Sequence, residues 1–379
     1  MFNMKVRLRI LFFMSILSIS MYSQWVPDKL TDSSSLPEEE NNKLTVNADI
    51  VGFFKNNEYF SPIVKGETLP GVYIRPTVSY QAENKLRATF GITGLYYSGD
   101  QQKEGTYVFN GIFARLQYAV HPHLHLVFGN YYGGVNHRLP EPLYKWERQL
   151  TEKPEGGLQL KYEDEKYFAD VWLNWQRFIQ KGDSVPEVMT FGLSSSAALT
   201  RPEKSLKITI PFWLVIHHQG GQIDVSEEKM IVCGNAATGI CSEYVLRPGF
   251  IRSVGINLYL LGYYDKLPDP NTRPYGKGWG VYPTLQINTS FFQFMAGYWY
   301  AKKFYSFEGE PLFASFNPEY PSETLVDRSL LTLKGSYSKD LHESFSVGGQ
   351  VESYSDMKSG RTDYSFSVYL RFTPRFFVR

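Results

Sequence analysis

Between Thr45 and Arg379 the chain alternates apolar and polar residues in sixteen short segments. In Leu86 to Tyr96, residues Leu86, Ala88, Phe90, Ile92 and Tyr96 fall on one side. Arg87, Thr89, Gly91 and Thr93 fall on the other. Successive side chains of a strand point to opposite faces, so each such segment has one oily and one wet side. The pattern continues along nearly the whole chain and no linker breaks it. It predicts an all-β fold, a closed transmembrane antiparallel β-barrel with lipid outside and a polar interior.

Connections set the strand count. Short turns are expected at 83–84, 121–123, 163–165, 201–204, 289–290 and 339–342. Longer polar connections fall at 57–69, 98–105, 131–154, 179–187, 265–277, 303–327 and 355–361. Bacterial barrels have short periplasmic turns and longer external loops, so the two kinds must alternate. The alternation fails once and is restored by a further strand at Met230–Tyr244. Arg247-Pro-Gly249 then becomes a turn and 217–229 a loop, giving sixteen strands. Aromatic residues close many outward-running strands, as at Tyr96-Tyr97, Tyr131-Tyr132, Tyr263-Tyr264 and Tyr298-Trp-Tyr300. Such residues favour the membrane interface.

Residues 1–23 read as a secretory signal, with Lys5, Arg7 and Arg9 before the apolar run Ile10–Ile19. That run is shorter than the ~18 residues of a membrane-crossing helix. Residues 24–43 lack alternation and contain Pro37 and Glu38-Glu-Glu40; a flexible periplasmic segment or a short plug is expected there. The barrel occupies 44–379, and the destination is the bacterial outer membrane after cleavage of the signal. The 39 basic and 38 acidic residues become 36 and 38 once the leader is removed, a net −2 that argues against nucleic-acid binding. Outer-membrane lipid, small hydrophilic solutes and a homo-oligomer are the partners considered.

The inward face carries the candidate chemistry. Its charges are Asp49, Arg75, Arg87, Arg115, Lys161, Asp170, Lys207, Lys334 and Arg371. Arg87, Arg115, Lys161, Lys207 and Arg371 fall toward the short-turn half, with Lys334 nearer the middle. Their excess over Asp49 and Asp170 predicts a weak anion preference in a water-filled lumen. No cofactor is expected. His121, His123 and His125 alternate beside a proline turn, and His217-His218 point oppositely in a strand, so neither group makes a good chelate. Ser194-Ser-Ser196 and Ser253 read as small lumen residues. Cys233 and Cys241 share the strand inferred from parity, where eight residues would separate them by roughly 27 Å. A disulfide needs Cα atoms within about 7 Å, so bonding would contradict that strand.

Sixteen strands, a signal segment and a long third loop make the chain resemble the general bacterial porins. The resemblance is one of architecture and spans the mature chain. It implies a passive channel for small hydrophilic solutes, with the third loop folded into the barrel as its constriction. Loop 131–154 contains Arg138, Glu141, Trp146 and Glu147, and by position Glu141 and Glu147 would be the loop acids facing basic wall residues. Loop 303–327 is an equally long competitor. The chain ends Phe372-Thr-Pro-Arg-Phe-Phe-Val-Arg379, whereas porins of that family finish on an aromatic residue. Two other readings stand beside the channel: a barrel hydrolase with its site at the outer rim, and a binding or structural barrel of an envelope assembly. A lumen filled by its own side chains would favour these two.

Overall fold

A computed structural model describes residues 28–99, 107–246 and 249–378. The strands are β1 (Lys43–Glu58), β2 (Thr68–Ala82), β3 (Leu86–Tyr97), β4 (Tyr107–His121), β5 (Leu124–Asn130) and β6 (Gly156–Glu163). They continue as β7 (Tyr167–Arg177), β8 (Val188–Ala198), β9 (Leu206–Gln219), β10 (Ile231–Val245), β11 (Ile251–Asp265) and β12 (Lys277–Thr289). The series ends with β13 (Phe292–Lys302), β14 (Asp327–His342), β15 (Phe345–Asp356), β16 (Thr362–Phe372) and β17 (Arg375–Val378). Each strand from β1 to β16 pairs antiparallel with the next, and β1 pairs with both β2 and β16, which closes the barrel. The short β17 resumes β16 beyond Thr373-Pro374 and pairs with Leu44–Asn47 of β1. The wall therefore has sixteen staves.

The strand inferred from parity exists as β10 and pairs along its length with β9 and β11. Cys233 and Cys241 are both buried and unbonded within it. The outward register also follows the alternation: Phe90, Ile256 and Val368 are 61%, 63% and 55% exposed on the lipid face. The signal segment, most of the connection at 98–105, and Arg247 and Pro248 of the predicted turn lie outside the described residues. Among the described residues, no helix is long and apolar enough to cross a membrane. The chain resides in the outer membrane through its strands.

The interior holds an apolar core. Trp172, Trp213, Tyr259, Tyr282 and Trp299 project inward from the wall and pack on loop residues Tyr132, Leu143, Phe304, Leu312 and Phe313. Inward glycines make room for the flat rings. A Cβ on Gly192 would sit 2.0 Å from the Trp172 ring, and one on Gly348 would sit 2.1 Å from Tyr369. In both cases the glycine and the aromatic residue face each other across adjacent strands. A Cβ on Gly52, at the outer face of β1, would meet nothing within 4 Å. Gly192→Val should therefore lower unfolding stability by about 1–3 kcal/mol through overpacking, while Gly52→Val should leave it nearly unchanged. Urea unfolding in detergent micelles checks this; equal effects of the two changes would show that the ring packing is not a constraint.

Candidate functional site

Two loops enter the barrel from the long-loop end. The first leaves β5 at Asn130 and returns at Gly156. Its reversals use Gly134 (φ 63°) and Arg138 (φ 57°), in the left-handed region that costs glycine little. A short turn at Gly134–His137 and one helical turn at Arg148–Thr151 follow. The second loop runs from 303 to 326 and turns at Pro311–Phe313, where Glu310 accepts from the Leu312 amide. The loops bind each other through Lys145 N–H to Glu308 O (2.7 Å) and Glu310 N–H to Glu141 O (3.1 Å). Wall indoles donate to them: Trp213 Nε1 to Arg138 O (3.1 Å) and Trp299 Nε1 to Phe313 O (2.9 Å).

A buried chain of charges ties the first loop to the wall. Glu141 Oε1 accepts from Lys334 Nζ and from Tyr354 OH, each at 2.5 Å. Lys334 also donates to Glu352 Oε1 (2.9 Å), whose other oxygen accepts from Lys55 Nζ (3.1 Å). Lys55 lies 3.4 Å from Glu147 and 4.6 Å over the Trp146 ring. Glu147 is completed by Lys145 at 2.5 Å and by the Asn57 amide at 2.9 Å. Burial works to raise the Glu147 carboxyl, but Lys145 and Lys55 hold it below the usual carboxylate range. Glu310, beside them, is pushed up to about 7 by burial, which Lys145 only partly offsets.

Deeper in the first loop, His137 is 1% exposed and saturated by carboxylates. Its Nδ1 meets Asp170 Oδ2 and its Nε2 meets Glu155 Oε2, both at 2.9 Å. The ring stacks on Trp172 with centroids 3.6 Å apart. Glu155 also accepts from Tyr131 OH and Gly134 N–H, each at 3.0 Å. Burial alone would lower the imidazole pKa, yet the Glu155 and Asp170 charges raise it to about 9. His137 is thus a locked cation at neutral pH.

A second histidine lies near the long-loop end. His217 of β9 stacks on Phe307 with centroids 4.0 Å apart, and its Nδ1 lies 3.4 Å from Thr190 Oγ1. Around it, Gln176 Nε2 donates to Glu308 Oε1 (3.3 Å), and Arg148 lies 3.8 Å from the same oxygen. No carboxylate oxygen lies within 4.0 Å of His217 among the described residues, in contrast to His137. His218 turns away and meets Gly220 O at 3.2 Å.

The remaining sequence-predicted residues are distributed as follows. Asp49 joins Arg75 and Arg371, each at 2.8 Å, and both arginines also hold Asp32 of the N-terminal segment. Those two arginines keep the Asp32 carboxyl below its ordinary range despite burial. Arg87 pairs with Glu40 of the same segment at 2.7 Å. Leu30, 2% exposed, packs with Val51, Tyr73 and Leu150. Residues 28–42 therefore lie against the inner wall at the short-turn end. Arg115 donates to Asn130 O and Tyr131 O, at 2.7 and 3.0 Å. Arg138 pairs with Glu163 at 2.6 Å. Lys207 stands apart and donates to Pro202 O in a short turn. Lys161 lies between the rings of Tyr132 and Phe168. The structure gathers Glu141, Trp146, Glu147 and Lys334 into one cluster and leaves the others at separate heights. The roles of His137, Glu155, Glu308 and Glu310 were not read from the sequence, because no spacing links a loop residue to a wall residue that far away.

The raised His137 pKa has a definite pH signature. Its contribution is fully present below about 6.5, the unfolded value, and is lost as pH rises through about 9. The native barrel should lose on the order of 3 kcal/mol relative to His137→Gln across that window. Unfolding midpoints of both proteins at pH 6 and pH 10 measure the difference. Parallel pH profiles would show that His137 is not charged in the folded state.

Comparison with known proteins gives a fold and a family. A family model described as lipid A 3'-O-deacylase-type matches residues 36–379. Among solved structures, the outer membrane protein OprD from Pseudomonas aeruginosa has a TM-score of 0.51 at 9% identity, covering 93% of this chain and 97% of its own. OccAB3 of Acinetobacter baumannii has a TM-score of 0.50 at 7% identity, covering 88% and 99%. Both likenesses concern the barrel fold, as the architectural resemblance to porins implied. No curated protein matches the chain. The expected porin-like channel with a weak anion preference is corrected by the family match, which favours the barrel hydrolase. The physical reason lies in the lumen: Arg75, Arg87, Lys334 and Arg371, read as charges facing pore water, are ion-paired to the chain's own inserted segments. The match over almost the whole described chain makes this protein a member of the lipid A 3'-O-deacylase-type family.

Proposed function

We propose that this protein is an outer-membrane ester hydrolase that removes an ester-linked acyl chain from a lipid A-type glycolipid. The family match over residues 36–379 carries the reading. A filled lumen suits a barrel that acts on a membrane lipid, since such a substrate needs access to the rim and not passage through the wall.

His217 is the base in this proposal. It lies near the long-loop end, which faces outward in bacterial barrels. His137 is unsuited, because carboxylates occupy both of its nitrogens. Thr190 orients the His217 ring through Nδ1, and Nε2 takes a proton from the attacking water. The water oxygen bonds to the ester carbonyl carbon, and the carbon–oxygen bond to the sugar breaks. The imidazolium returns its proton to the departing sugar oxygen, releasing a fatty acid.

Purified protein incubated with lipid A in mixed micelles should release one fatty acid per lipid, read by mass spectrometry. His217→Gln should slow release by about 10²–10⁴-fold, the usual worth of a general base. His218→Gln, on the opposite face, should not. An inactive native protein would overturn the hydrolase reading, and a fully active His217→Gln would overturn the assigned base.

A further inference from the structure

Lys161 differs from the other buried cations of the lumen. It is 5% exposed, on the inward face of β6 near the short-turn end. Among the described residues its ammonium makes no hydrogen bond or ion pair. Its neighbours are the rings of Tyr132 and Phe168, with centroids 5.8 and 5.9 Å away. The carboxylate opposite it in register, Asp170, bonds to other groups: Oδ2 meets His137 Nδ1 (2.9 Å) and Oδ1 accepts from Gln159 (2.8 Å). Arg138, close by, is neutralised by Glu163 at 2.6 Å. A buried ammonium without a partner is costly, and an anion bound to it offsets that cost.

Lys161 borders a cavity of about 420 Å³ between the wall and the N-terminal segment. Ser33, Ser34, His125 and Asn136 also line it, so its surface offers hydroxyl, amide and imidazole groups around one unpaired charge. The Asp32 carboxylate on the border is committed to Arg75 and Arg371, and Glu163 to Arg138. Neither lies within 4.0 Å ion-pair distance of the Lys161 ammonium among the described residues. Charge-assisted hydrogen bonds from an ammonium are stronger than neutral ones. We infer that this cavity is a binding site for a small oxyanion, a phosphate or carboxylate group, held by the Lys161 ammonium. The site lies at the opposite end of the barrel from His217 and does not depend on the hydrolase reading.

Calorimetric titration of the folded protein in detergent, at fixed ionic strength, tests it with inorganic phosphate and separately with acetate. Saturable binding of either supports the site, and the preferred anion distinguishes a phosphate from a carboxylate ligand. Lys161→Met should weaken that binding at least about tenfold, whereas Lys161→Arg should retain it. Should Lys161→Met fail to fold, the native protein supplies a second measurement: phosphate or acetate should protect Lys161 from reductive methylation, mapped by mass spectrometry. Failure of both anions to saturate, native-strength binding by folded Lys161→Met, or methylation of Lys161 unaffected by both anions would overturn the inference.

Discussion

The interior depends on one chain of buried charges, Glu141–Lys334–Glu352–Lys55–Glu147. Two lysines and one glutamate come from the wall, and two glutamates come from the inserted loop. Removing one member of such a chain leaves a buried charge uncompensated, which typically costs about 3–5 kcal/mol. The chain therefore fixes where loop 131–155 sits. That position in turn sets the seat of loop 303–326, which hydrogen-bonds to it at Lys145 and Glu310. Apolar burial adds to the adhesion, with Phe313 and Tyr132 against wall aromatics. The charges supply register, because an ion pair cannot slide as a packed ring can.

The fold was legible because lipid and lumen impose opposite demands on alternate residues. Phe90 and Arg87 record that division directly, and connection parity located β10 although its own pattern is weak. The interior was less legible. Alternation shows that Lys334 faces inward, but not whether it meets water or Glu141. Their separation of 193 residues leaves no local trace in the sequence. His137 illustrates the same limit. It occupies a glycine-rich loop stretch, while Asp170 belongs to a strand and Glu155 to the loop's return.

The porin-like reading arose from the same ambiguity. Strand number and a long third loop describe a scaffold, and a scaffold can serve transport or catalysis. What separates the two is the content of the lumen. Here Arg75, Arg87 and Arg371 hold the N-terminal segment by Asp32 and Glu40, while Lys55 and Lys334 hold a loop from the other end. The inward charges thus form a packed polar interior. That interior fits the lipid A 3'-O-deacylase-type family better than it fits an open channel.

Paired charges and inserted segments are expected to occlude the lumen. Planar-bilayer recording of the purified protein tests it most directly. The native protein should give no stepwise, ohmic conductance. Stable open steps of the size given by a water-filled barrel of sixteen strands would contradict it.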